Sequence, residues 1–172
     1  MCERILVPLD GSKVGESALP YVENVVSKLS PEVKVEVTLL RVLSPTGPSY
    51  DAGYVVLEVA CSEKQMEEAS KKAIDYLNKV GEALRSKGVA VAAKIAVGDV
   101  AEEIVKAAEE INVDLIVMST HGRSGLSRWV FGSVTDKALR HKGKVPILMV
   151  KAPKKTEKAW LLEKLSRLYL AD

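Results

Sequence analysis

At 172 residues, 47% of them hydrophobic and 28% charged, the chain is expected to form one soluble globular domain with enough length to bury a full core. A formal net charge of +2 argues against a general nucleic-acid-binding surface, and no nucleic acid partner is expected. Cys2 and Cys61 stand far apart, without CxxC spacing or a histidine cluster, which argues against a disulfide framework or a metal site and for free thiols in a reducing cytoplasm.

Strand and helix patterns alternate along the chain. Residues 4–9 are a continuous β-rich apolar run, as in a parallel strand covered on both faces. A helix reaching about residue 29 follows, with Ser12 as N-cap and Pro20 marking a kink or a late start. Residues 33–42 read as a second strand. Residues 44–54 carry Pro45, Gly47, Pro48 and Gly53, a loop composition of unusual length for a compact domain. The clearest element is a helix over 62–87, where Met66, Ala69, Ala73, Leu77, Val80 and Leu84 recur at helical spacing before the stop at Gly88. Residues 89–97 give the third strand. Asp99, with Glu102 three positions on, caps a helix through residue 111. Residues 115–118 form the fourth strand, a helix is expected over 133–141, and residues 145–150 close the sheet as the fifth strand.

Five strands separated by helices of this length need right-handed crossovers, which place helices on both faces of a mostly parallel sheet. The expected fold is a doubly wound α/β domain. Its densest apolar strands, residues 5–9 and 115–118, are the expected central neighbours. Ligands of such folds bind beyond the carboxyl ends of the strands, where strand order reverses, so Asp10, Gly11 and Ser12 should face residues 119–132 across one crevice.

That facing segment is rich in chemistry. Residues 118–133 read MSTHGRSGLSRWVFGS, a glycine-rich exit from a strand into a helix that begins near Gly132 and Ser133. Glycines let main-chain N–H groups approach an oxygen-rich ligand, and the helix start adds unsatisfied donors and partial positive charge. Phosphate is the natural ligand, with Arg123 and Arg128 placed to add charge-assisted contacts. The segment lacks the lysine of a P-loop, the regular G-x-G-x-x-G of dinucleotide-binding turns, and the G-x-S-x-G spacing of a nucleophile elbow. His121 has no carboxylate in adjacent sequence and is not read as catalytic.

RILVPLDGS at the start, RVLSP after the second strand, and STHGRSGLSRWVFGSV followed by VPILMV together resemble the universal stress protein family over about residues 3–151. The family's nucleotide-binding motif is glycine, two residues, glycine, nine residues, then glycine and serine or threonine. Gly122, residues 123–131, and Gly132 with Ser133 fit that spacing, whereas Ser119 stands in place of the first glycine. The resemblance implies a Rossmann-like fold with strand order 3-2-1-4-5. It also implies a site in which Pro8 and Asp10 line the floor, Asp10 lies near the ribose or a phosphate-bound Mg²⁺, and Val42 meets adenine through its backbone. Gly122, Arg123, Gly132, Ser133 and Val134 would hold the phosphates of ATP, ADP or AMP, with Ser119 and His121 shaping the wall.

The same resemblance implies a homodimer paired through the last strands. Residues 145–150, from Val145 to Val150, are a short apolar strand suited to a sheet edge, and Pro146 near its start fits an edge better than a centre. A two-fold pairing of that strand with its copy would cover it. Residues 1–151 are taken as the nucleotide-binding domain. Residues 152–172 add a basic linker and an amphipathic helix bearing Leu161, Leu162, Leu165, Leu168 and Tyr169 on one stripe. That helix is expected to pack on its own domain or dimer mate, or to dock a protein partner or an anionic membrane surface. No apolar targeting segment is found at the amino terminus and no run reaches the ~18 apolar residues of a membrane span, so a cytoplasmic protein is expected. Nucleotide binding is the expected function, in a stress-response or signalling role. No P-loop lysine or assured general base demands catalysis, which does not exclude slow hydrolysis. A dimeric scaffold of the same fold with a vestigial pocket is the alternative.

Overall fold

The structure is a computed structural model that describes residues 2–30, 32–51, 54–120 and 145–151. In chain order the elements are β1 (Cys2–Pro8), a 3-10 turn (Gly15–Ser17) running into α1 (Ala18–Val26), β2 (Lys34–Leu43), β3 (Thr46–Asp51), β4 (Tyr54–Ala60), α2 (Glu63–Arg85), β5 (Ala90–Val97), α3 (Val100–Glu110), β6 (Leu115–Thr120) and β7 (Ile147–Lys151). Five of the strands form one parallel sheet in the order β5-β2-β1-β6-β7. Counted within that sheet, this is the expected 3-2-1-4-5. β1 and β6 are indeed neighbours, with Ile5 opposite Leu115 and Leu6 opposite Ile116.

Alternation along the strands divides the core. Ile5, Val7, Leu9, Val37, Leu39 and Val117 pack with Ala18, Leu19 and Val22 of α1 and Leu77 and Leu84 of α2. Leu6, Leu40, Ile116 and Met118 pack on the other face with Ile104, Ala107 and Ala108 of α3. Both faces are therefore covered, which is why the central strands read as unbroken apolar runs instead of alternating ones.

Local signals set the helix limits. Ser62 accepts from the Gln65 N–H at 3.3 Å while Gln65 Oε1 accepts from the Ser62 N–H at 2.8 Å, a reciprocal cap that starts α2. Asp99 Oδ1 accepts from the Ala101 and Glu102 N–H groups and starts α3. The first helix begins late: Pro20 is the third residue of α1, inside the first turn, where its missing N–H has no intrahelical partner to lose.

The structure departs from the sequence reading after β2. Residues 46–60 form an antiparallel pair, β3 with β4, with a register shift between Ser49 and Tyr50. Gly47, Pro48 and Gly53 give this stretch loop composition, yet a two-stranded ribbon tolerates proline because each of its strands is an edge. The YVVLEVA run of β4 was the β-rich signal within it. β6 also extends to Thr120, two residues beyond the expected end, and β7 starts at Ile147 because Pro146 has no N–H to give. The Pro146 carbonyl instead accepts from the Ile116 N–H at 2.9 Å. The expected helices over 133–141 and within 152–172 lie outside the described residues.

Candidate functional site

The carboxyl ends of β1 and β6 separate. Their pairing stops at Leu6 and Ile116, although β1 stays paired with β2 to Pro8 opposite Leu40 and β6 stays paired with β7 to Thr120 opposite Lys151. After β1 the chain crosses to β2 on one side, and after β6 it crosses to β7 on the other. A cleft at this reversal is where a doubly wound sheet presents main-chain groups without strand partners.

Asp10 stands on one lip. It is exposed, and its Oδ1 accepts from the Ser12 N–H at 2.9 Å and the Ser12 hydroxyl at 2.6 Å. Ser12 Oγ in turn accepts from the Gly15 N–H at 2.9 Å. Ser12 thus holds an N–H at the start of the 3-10 turn and orients the carboxylate, but the N-cap of that turn is Val14 and that of α1 is Ser17, not the expected Ser12. Burial works against the Asp10 charge, but the two Ser12 hydrogen bonds, its own backbone and the Arg41 guanidinium outweigh it and hold the pKa below the ordinary value. Oδ2 accepts from no other residue among those described.

Around this turn lies a polar network. Arg41 Nη1 donates to the Leu9 carbonyl at 3.3 Å. The Tyr76 hydroxyl from α2 reaches Glu16 Oε1 at 3.4 Å, and Glu16 Oε2 pairs with Lys13 Nζ at 2.5 Å. Burial and the Glu16 carboxylate push the Tyr76 phenol up to about 12, so it remains a donor at any physiological pH. Arg41 was not singled out from sequence, though an arginine within the apolar carboxyl-terminal half of β2, LLRVL, was a signal in itself.

The other site residues on the described chain fall as follows. Pro8 ends β1 and is half-buried. Val42 is half-buried in β2, opposite Ala96, with its side chain against the α3-side core. Leu40 accepts from the Leu9 N–H on the β1 side, and Leu43 accepts from the Gly98 N–H on the β5 side. Strand alternation therefore turns the Val42 N–H and C=O toward β1, one step past the last β1–β2 bond. Ser119 is half-buried in β6, opposite Val150. It lies in extended backbone, and Asn112 is the sole non-glycine residue with positive φ among those described. Serine in place of the motif glycine therefore meets no backbone strain at this position. His121, Gly122, Arg123, Arg128, Gly132, Ser133 and Val134 lie outside the described residues.

Among the described residues, no group of three or more His, Cys, Asp or Glu side chains is placed to hold a metal ion. The exposed Asp10 carboxylate suits a cation such as Mg²⁺ that takes one protein ligand and completes its shell with phosphate oxygens and water. No helix among the described residues is long and apolar enough to cross a membrane.

Three kinds of similarity accompany this geometry. A model of the universal stress protein family matches residues 1–151. The universal stress protein MJ0577 of Methanocaldococcus jannaschii is 34% identical over 160 residues, covering 88% of this chain and 96% of its own. Its solved structure superposes with a TM-score of 0.64 at 28% identity, covering 88% of this chain and 97% of that one. At 16% identity, a universal stress protein family structure from Arabidopsis thaliana with AMP bound has a TM-score of 0.59 and covers 89% of this chain and 94% of that one. A universal stress protein in complex with cAMP has a TM-score of 0.56 at 17% identity, covering 88% of this chain and 98% of that one.

Proposed function

The chain belongs to the universal stress protein family, and from that premise we propose that it is an adenine-nucleotide-binding protein whose ligand sits in the cleft between β1 and β6. The observation that carries this reading is the parting of these two strands beyond Leu6 and Ile116 with Asp10 on its lip. AMP and cAMP in structures of the same fold support an adenylate as the occupant. In this reading Val42 offers its N–H and C=O to the base, an edge that matches the paired donor and acceptor of adenine. Asp10 Oδ2 accepts from the ribose hydroxyls or takes a Mg²⁺ that neutralises phosphate charge. Gly122, Arg123, Gly132, Ser133 and Val134 hold the phosphates, while Pro8 lines the floor with Asp10 and Ser119 and His121 shape the wall. Binding, with its effect on the loops around the cleft, is the proposed activity in a stress-response or signalling role, and turnover is not required.

Two measurements test it. Mass spectrometry of small molecules released from freshly purified protein is expected to find AMP, ADP or ATP, and calorimetry on ligand-free protein is expected to show binding that Asp10→Asn weakens about tenfold or more, the worth of one hydrogen bond to a charged group. If Asp10 serves through Mg²⁺, the loss appears for ATP with Mg²⁺ and vanishes in EDTA; a ribose contact gives the same loss in both. Ligand-free protein that gives no heat with any adenine nucleotide overturns the reading and leaves a scaffold of the same fold.

We also propose that β7 pairs with its copy across a two-fold axis in a cytoplasmic homodimer. Among the described residues β7 bonds to β6 alone, which leaves its outer edge open to another strand. Met149→Pro removes a ladder donor at mid-strand, and a fall from dimer to monomer mass in light scattering is the expected result. An unchanged dimer mass would place the interface elsewhere. Residues 152–172 are proposed as a basic linker and amphipathic helix that pack on the domain or on the dimer mate.

A further inference from the structure

The β1–β2 ladder ends in an unusual way. Leu9 N–H donates to the Leu40 carbonyl at 2.8 Å, and parallel pairing would next bring the Val42 N–H to the Leu9 carbonyl. That carbonyl is met instead by Arg41 Nη1 at 3.3 Å. The same guanidinium covers Gly11. A Cβ added there would lie 3.4 Å from Nη1 and 3.8 Å from Cζ, and the φ of +80° at Gly11 is the left-handed conformation that turns the chain away from the sheet. Arg41 is half-buried and forms no ion pair within 4 Å among the described residues. No described carboxylate neutralises it at ion-pair distance, although its charge favours the Asp10 carboxylate.

The geometry points to Arg41 as a positioning residue of the cleft: reaching from β2, it holds the Leu9–Asp10–Gly11 turn so that Asp10 faces the ligand, and it takes the carbonyl that would otherwise occupy the Val42 N–H. This rests on the adenylate-binding reading for its purpose but not for its structural content. The groups around Asp10 come from three elements. Ser12 and Glu16 belong to the turn after β1, Arg41 to β2 and Tyr76 to α2. Lys13, on the same turn, is paired with Glu16, and Arg41 is the cation whose charge favours the Asp10 carboxylate.

The test uses the full-length protein as Arg41→Met, which keeps an unbranched apolar stem, and Arg41→Lys, which keeps charge but not the planar fork. In ligand-free protein, hydrogen exchange read by NMR is expected to show the Leu9 amide, which donates to the Leu40 carbonyl beside the Arg41 contact, exchanging about tenfold faster in Arg41→Met and largely restored in Arg41→Lys. In calorimetry, AMP affinity is expected to fall about tenfold in Arg41→Met, yet by less than about twofold when the same change is made on an Asp10→Asn background, because a residue acting through Asp10 has nothing left to position. Leu9 amide exchange that does not change in Arg41→Met overturns the inference. So do losses that simply add, because they would make Arg41 a direct ligand contact. If the wild-type protein binds no AMP, the adenylate reading fails while the Leu9 amide exchange still decides what Arg41 does.

Discussion

Leu77→Ala is expected to destabilise the protein by about 2–5 kcal/mol, the largest effect of any single truncation considered. Leu77 is fully buried on α2, where it meets the sheet face built from Ile5, Val7, Val37 and Leu39. Buried positions recur at Ala73, Leu77, Gly81 and Leu84, so this helix presses one narrow stripe onto β2 and β5 and has no second apolar face to compensate. The cavity would open beneath a helix fixed at its start by the Ser62–Gln65 cap, which limits collapse of the backbone into the void. At about 2–4 °C per kcal/mol for a domain of this size, thermal unfolding should fall by roughly 10 °C. Leu29→Ala, at a residue 37% exposed beyond the end of α1, is the control and should stay within about 0.5 kcal/mol. Equal shifts for the two variants would mean that the core is not organised on this stripe.

What could be read beforehand follows from how local each signal is. The α2 helix was legible because its stripe, its cap and the stop at Gly88 lie within one continuous stretch, and Gly88 takes the positive φ of +80° that a helix end asks for. The neighbours β1 and β6 were legible because strands covered on both faces have no polar positions to hide. The β3–β4 pair was not, since Gly47, Pro48 and Gly53 suppress strand propensity and a two-stranded ribbon needs no buried face to reveal itself by alternation. At the site, Asp10 was legible as the polar end of an apolar strand. Its supports were not: Arg41 is 31 positions away and acts through a main-chain carbonyl, and Gly15 acts by the space it leaves, neither of which a sequence pattern encodes.

Gly15→Ala should cost nucleotide affinity with little effect on stability, a pairing that isolates the role of empty space. Gly15 opens the 3-10 turn and is not among the residues with positive φ, so its backbone would suit alanine, the better helix former by about 1 kcal/mol. The difficulty is the carboxylate. An alanine Cβ would press directly against Asp10 Oδ1 and come within 3.4 Å of its Cγ. Ser12 binds that same Oδ1 through both its amide and its hydroxyl, and the hydroxyl is itself held by the Gly15 N–H. Asp10 therefore cannot move aside without breaking the bonds that aim it. The expected outcome is a loss of about tenfold to a hundredfold in AMP affinity, the range for a hydrogen bond to a charged group, with the unfolding free energy within about 1 kcal/mol of wild type. Because the effect runs through one carboxylate, Gly15→Ala on the Asp10→Asn background should lose almost nothing further in affinity. Wild-type affinity in the single variant would show that the turn has room to relax and that Asp10 does not depend on the gap beside it.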